Sequence, residues 1–216
     1  MELAIGGHGK RPTINTYMYA DALAISEIAA MAGKQFSALR TQFSEKAKEL
    51  KKKVLETLWD EQDQFFKVMP RGTDSLSSTR ELLGFVPWYL ELVPRDQKYE
   101  VAWKQLMDPQ GFYAPFGPTT AEQRDPGFKV SYEGHECQWN GPSWPFATSQ
   151  TLTALANVLN NYQQNVISKE DYFKTLKIYT NSHRFRQIPP TGDTIVSDDL
   201  WIDENLNPFN GDWLAR

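Results

Sequence analysis

The sequence predicts an all-α fold built of helical hairpins, and three observations carry that expectation. Six stretches have helix-length apolar periodicity or helix-start signals, from residue 14 onward. They follow one another as three sequential pairs with little strand signal between them. Long loops rich in Trp, Gly and Pro interrupt or follow two of those pairs, and no fixed repeat of 34 or 40 residues supports a common solenoid.

Taken in order, Ile14, Met18, Ala22, Ile25, Ile28, Ala29 and Ala32 follow the 3.6-residue period, with Thr13 as cap and Gly33 as stop. A second helix is expected over 35–59, where Phe36, Leu39, Phe43, Ala47, Leu50, Val54 and Leu58 form a stripe opposite the lysines. Residues 60–77 are a polar link in which Phe65, Phe66 and Val68 suit a short strand. A capping box, Ser78-Thr79-Arg80-Glu81, opens a third helix that is apolar nearly all round and therefore buried, with Pro87 kinking or restarting it. A fourth spans about 96–107 and ends in a turn. Residues 111–143 form a loop longer than unstructured connections normally reach, and its aromatic content argues for function over disorder. The fifth helix covers about 144–160, the sixth is capped by Ser168, and residues 185–216 read as an irregular acidic and aromatic tail.

Length and composition narrow the function. At 216 residues the chain can bury a sizeable core, and 1–216 is expected to form one domain or a substantial part of a larger one. Its net charge of -4 offers no attraction for nucleic acid or an anionic membrane, and the Lys46–Lys53 run is interleaved with Glu45 and Glu49 as a solvated helix face. The single cysteine, Cys137, excludes an internal disulfide, reads as a small hydrophobe, and leaves the compartment undetermined. There is no apolar run of membrane-spanning length and no signal-peptide pattern in the chain. Seven Trp among 13% aromatic residues suggest flat ligand surfaces.

Two stretches carry chemistry. YEGHECQWNGPSWPF, residues 132–146, concentrates aromatic rings, two carboxylates and a His where Gly and Pro prevent regular structure, just before a rigid helix. The reading that both Trp cap a helical core weighs evenly against it. The tail interleaves Asp198, Asp199, Asp203, Glu204, Asn205, Asn207, Asn210 and Asp212 with Trp201 and Trp213. A calcium loop started at Asp203 fails, because Pro208 replaces its obligatory Gly and Leu214 its last Glu; an irregular calcium site stays open. Carboxylates among Trp rings and amides instead suit sugar hydrolysis. A phosphate loop at Gly9-Lys10 fails because the earlier Gly falls on Ala4 and Arg11 stands where Ser or Thr is needed. His135 and Glu136 beside Cys137 lack metal-ligand spacing, so no metal is expected, and His8 and His183 have no partner at useful spacing.

WIDENLNPFNGDWLAR resembles the Glu-Asn-x-Asn-Pro-x-x-Gly segment of (α/α)6-barrel glycoside hydrolases of the family 63 and mannosylglycerate-hydrolase-like group, which are related to trehalases. QWNGPSWPFATSQTLTALANVL is similar to the Trp-x-Gly-Pro-x-Trp-Pro loop and barrel helix of that group, and RPTINTYMYADALAISEIA to the helix after its acid motif. The resemblance implies about half of a six-hairpin barrel and an inverting hydrolase of a small α-glucoside, α-mannoside or oligosaccharide, working without a cofactor. It implies Glu204 as general base. The acid motif falls at the N-terminus, where Glu2 is the best candidate, with Met1 in place of the motif's Trp. Trp139, Trp144, Trp201 and Glu136 would line the sugar subsites, with Asn140 and Asn205 as polar orienters. The expected partner is a carbohydrate, and a half barrel calls for its remainder, supplied by further polypeptide or by self-association. Two other readings stay open: a half barrel that binds sugar without catalysis, and a helical-hairpin module whose Trp loops contact another polypeptide.

Overall fold

A computed structural model describes residues 4–131, 137–187 and 195–214. Helix α1 (Pro12–Ala32) starts at Pro12, whose fixed φ suits the first helical position and whose missing N–H would have had no helical partner. Arg11, not Thr13, is the cap residue, and no side chain caps it. Gly33, at φ +108, ends the helix, and a 3₁₀ turn (Lys34–Phe36) leads into α2 (Ser37–Thr57). The two helices form a hairpin, with Ser26 Oγ donating to the Arg40 carbonyl at 3.1 Å. Ala22, Ala29 and Ala47 are buried in this hairpin, so small side chains permit close approach.

The buried face of α1 is not the predicted one. Pro12, Thr13, Thr16, Tyr19, Ala22, Ser26 and Ala29 face inward, while Ile14, Met18 and Ile28 are exposed. Tyr19 and two alanines supply the core contact that the aliphatic residues were expected to make.

Short antiparallel ladders stitch the next segment down. Strand β2 (Trp59–Asp60) pairs with β3 (Phe65–Phe66), as the Phe65-Phe66 signal suggested, and β1 (Gly9–Lys10) pairs with β4 (Met69–Pro70). Only glycine fits at position 9, because a Cβ there would lie 2.0 Å from the Met69 carbonyl oxygen. The third predicted helix is much shorter than expected: a 3₁₀ turn (Leu82–Phe85) followed by one turn of α-helix, α3 (Val86–Tyr89), which Pro87 restarts. The Ser78–Glu81 capping box does not form. Glu81 is extended and bridges Ala121, and its carboxylate receives the Gly6 amide at 2.8 Å and Arg11. The fourth helix is a 3₁₀ segment (Glu100–Leu106).

The aromatic excess is spent largely in the core. Phe85 stacks on Trp103 at 4.3 Å, and Phe65, Phe66, Trp88, Tyr99 and Phe112 extend the cluster with mainly edge-to-face contacts. Against it packs α4 (Pro145–Asn161) through Ala147, Thr151, Ala154, Leu155 and Val158. Asn157 Nδ2 donates to the carbonyls of Trp88 and Tyr89 at 3.1 and 3.0 Å, satisfying the end of α3. Helix α5 (Lys169–Ser182) follows with the predicted Ser168 cap, completed by Asp171 as a capping box. The tail is more regular than expected, since β5 (Arg184–Gln187) and β6 (Ile195–Leu200) form a hairpin. Among the described residues no helix is long and apolar enough to cross a membrane.

Candidate active site

Two loop segments some sixty residues apart meet in front of α4. Ser143 and Leu206 exchange backbone hydrogen bonds in both directions, each 2.9 Å. Leu206 also bridges Trp213, the Leu214 amide donates to the Asn205 carbonyl at 3.0 Å, and the Asn207 amide to the Asp212 carbonyl at 2.7 Å. The predicted orienter Asn205 is buried inside this small knot. Side-chain turns tighten it, with Asn207 Oδ1 accepting from the Phe209 amide and Asn210 Oδ1 from the Asp212 amide. The acidic and amide residues of the tail thus serve partly as turn formers.

Trp144 caps α4 on one side of this bridge, and Glu204 lies two residues before it on the other. Between them is a cavity of about 400 Å³ lined by Trp139, Trp144, Pro145, Phe146, Ser149, Tyr179, Ile202, Asp203 and Glu204. Trp139 and Trp144 stack with ring centroids 4.3 Å apart and planes 19° from parallel. Trp144 Nε1 donates to the Gln138 carbonyl at 2.6 Å, which fixes the pair, while the buried Trp139 Nε1 has no hydrogen-bond partner among the described residues. The Phe146 ring and Ile202 stand exposed at the rim. Glu204 is exposed, and its amide is held by Asp203 Oδ1 at 2.8 Å.

One side-chain hydrogen bond links α1 to α4. Gln150 Nε2 donates to Tyr17 Oη, and each is the sixth residue of its helix. Burial raises the Tyr17 phenol above its ordinary value, opposed by that same hydrogen bond, so it is neutral at physiological pH. A second hollow of about 360 Å³ is lined by His8, Arg11, Thr13, Ile14, Tyr17 and Arg71.

Of the residues singled out in the sequence, the structure brings Trp139, Trp144 and Glu204 to one cleft. Trp201 is partly exposed and lies outside that lining. Asn140 is half-buried, with its Oδ1 unpartnered among the described residues and its carbonyl receiving the Lys129 amide at 3.0 Å. Glu2 and Glu136 fall outside the described residues. The cleft adds Phe146, Ser149, Tyr179, Ile202 and Asp203. Phe146 and Ser149 continue the Trp-rich string and Asp203 adjoins Glu204, whereas nothing local marks Tyr179, which arrives from α5. Its ring meets His183 edge-on at 4.5 Å, and His183 Nδ1 lies 2.6 Å from the Tyr179 carbonyl.

Residues 2–216 match the model of the mannosylglycerate hydrolase MGH1-like glycoside hydrolase domain. The chain belongs to that family. This MGH1-like chain is similar over 99% of its length, at 41% identity and a TM-score of 0.86, to a solved structure described as a sialidase, and spans 19% of that protein. It also superposes on the GH63 mannosylglycerate hydrolase of Thermus thermophilus, solved in complex with glucose, with a TM-score of 0.66 and 12% identity, covering 93% of this chain and 40% of that one. The neutral trehalase of Saccharomyces cerevisiae superposes with a TM-score of 0.54 at 16% identity, over 78% of this chain and 37% of that one. No match was found among curated proteins. The fold is accordingly all-α, of the (α/α)6 six-hairpin glycosidase type, and the MGH1-like chain spans a part of such a barrel.

Proposed function

We propose that this chain carries the base-bearing part of a glycosidase active site and that residues 1–216 form one incomplete barrel domain. The supporting observation is the convergence of Trp139, Trp144 and Glu204 on one cleft of about 400 Å³ at the start of α4, large enough for a monosaccharide unit. Aromatic faces of Trp139, Trp144 and Phe146 take the C–H face of a pyranose, and Asp203 and Ser149 accept or donate to its hydroxyls. Glu204, exposed and adjoining that face, takes a proton from a water that attacks the anomeric carbon. A second carboxylic acid, assigned to Glu2, protonates the departing glycosidic oxygen, and the configuration inverts when the two groups stand roughly 6.5–9.5 Å apart. The substrate class is a small α-glucoside, α-mannoside or oligosaccharide. Membership of the glycoside hydrolase family supports the reaction type.

Release of sugar from aryl α-glucosides and α-mannosides, with proton NMR of the first-formed anomer, tests this reading. Expected is Glu204-dependent release of the inverted anomer. Release of the retained anomer contradicts the inverting assignment, and saturable sugar binding without release assigns the cleft to recognition alone.

A further inference from the structure

The second hollow, at the start of α1, is lined by hydrogen-bond donors and by no acidic group. Its side chains are those of His8, Arg11, Thr13, Ile14, Tyr17 and Arg71, and none is a carboxylate or a carboxamide. Local structure brings them together. The Arg71 amide donates to the His8 carbonyl at 2.8 Å, next to the Gly9–Pro70 pair of the β1–β4 ladder, and Arg11 alone separates β1 from α1. The first turn of α1 has no acidic residue and no side-chain cap. The amides of Thr13 and Ile14 are therefore left without helical partners, at the positive end of a 21-residue helix.

The side chains are equally short of acceptors. Thr13 is 9% exposed, yet its hydroxyl meets no hydrogen-bond partner among the described residues. Tyr17 Oη already accepts from Gln150 Nε2, and the buried Gln150 Oε1 receives no hydrogen bond among the described residues, so the phenol proton is left for another acceptor. Arg11 is committed to Glu81 and the Gly7 carbonyl. That leaves Arg71, which has no ion pair among the described residues, as the uncompensated charge. A buried hydroxyl without a partner, an uncapped helix start and a guanidinium around one hollow make an oxyanion site. We propose that this hollow binds a phosphate group. A carboxylate offers two oxygens, whereas a phosphate brings three and about twice the charge, which suits donors this numerous. No phosphate loop is needed, because the donors come from the helix start and from Arg71 instead of consecutive loop amides. At about 360 Å³ the hollow also has room for a small body carrying the phosphate, with Ile14 and the Tyr17 ring as an apolar wall. The hollow and the Trp cleft share no lining residue, and phosphate binding here requires nothing of Glu204.

The test is isothermal titration of the 216-residue chain, at constant ionic strength, with inorganic phosphate, glucose 6-phosphate, glucuronate and glucose. Saturable binding of phosphate is expected, with a Kd of about 1 mM or tighter. Arg71→Gln should weaken it about tenfold or more and Thr13→Val about threefold, while any glucose binding at the Trp cleft is unchanged. Arg71 is exposed, so its replacement leaves the core intact, and circular dichroism checks that both variants fold. Lys46→Gln, which removes an exposed charge from α2, should change nothing. Tighter binding of glucose 6-phosphate than of inorganic phosphate assigns the group to an ester, and the reverse assigns it to the free ion. Three results overturn the proposal: neither phosphate ligand saturates, Lys46→Gln costs as much as Arg71→Gln, or glucuronate binds more tightly than both phosphate ligands.

Discussion

Ser143 and Leu206 hold each other through two backbone hydrogen bonds of 2.9 Å, and this pairing sets the geometry of the cleft. Trp144 follows Ser143, and Glu204 precedes Leu206 by two residues, so one two-bond bridge ties the Trp-bearing loop to the segment that carries Glu204. Leu206 is also buried. Leu206→Ala is expected to cost about 2–5 kcal/mol, measured by urea denaturation followed by circular dichroism, because it empties a site enclosed by rigid loops. A cost below about 1 kcal/mol would mean that the Leu206 side chain does not anchor this junction.

The stacked pair Trp139 and Trp144 should carry most of the affinity for sugar. Trp139→Ala removes an aromatic surface from the cleft and the ring contact at 4.3 Å. Isothermal titration with methyl α-glucoside or methyl α-mannoside should show binding weakened by about 1.4 kcal/mol or more, tenfold in Kd. Unaltered binding would place the sugar elsewhere.

A pH effect on stability is expected from Glu100. The residue is 1% exposed, no group among the described residues meets either carboxylate oxygen at good hydrogen-bond geometry, and burial raises its pKa above the ordinary carboxylate value. The nearby backbone amides of Glu100 and Tyr99 oppose that shift, and the charge of Asp96 adds to it. The folded state therefore holds this proton more tightly than the unfolded chain. Stability is greatest below the unfolded pKa, near 4.5, and falls as pH rises from there through the folded pKa. Glu100→Gln should abolish that slope and leave the protein more stable than the parent at pH 8 by about 1 kcal/mol, read from thermal unfolding across pH 4–8. An unchanged slope would assign the pH dependence to other groups.

Helix α5 depends on its N-cap. Ser168 Oγ accepts from the Asp171 amide at 3.1 Å, and Asp171 Oδ2 accepts from the Ser168 amide at 2.9 Å. Ser168→Ala should destabilise the protein by about 1 kcal/mol, and Ser168→Asn by much less, in chemical denaturation. Equal losses from the two would show that the cap hydrogen bond is not what matters.

Those caps and periodicities explain which parts of the fold were legible in the sequence. Helices α1, α2, α4 and α5 are long, and Gly33, Pro145 and Ser168 punctuate them, so local rules suffice. The region 78–106 was misread because its conformation is set from a distance. Glu81 is drawn to Arg11 and the Gly6 amide, and Arg80 to Glu122 and Asp63, and those ion pairs favour extended backbone over the helix that a capping box suggests. The inward face of α1 was misread for a related reason. Periodicity finds an apolar stripe but cannot say which of two stripes meets this chain's own core, and Tyr19 with the alanines of the hairpin occupies that place. At the candidate site, the Trp-rich and Glu-Asn-rich strings were visible as motifs. Their junction through Ser143 and Leu206, and the arrival of Tyr179, depend on tertiary contacts that no local pattern encodes.

The central assignment is that Glu204 acts as the base on a sugar seated at Trp139 and Trp144. The most direct measurement is kcat/KM for aryl α-glucosides and α-mannosides by the parent protein and by Glu204→Gln, with sugar affinity measured alongside. The account predicts hydrolysis lowered roughly 10²- to 10⁴-fold in Glu204→Gln with sugar affinity retained. Equal, non-zero rates for the two proteins would contradict it.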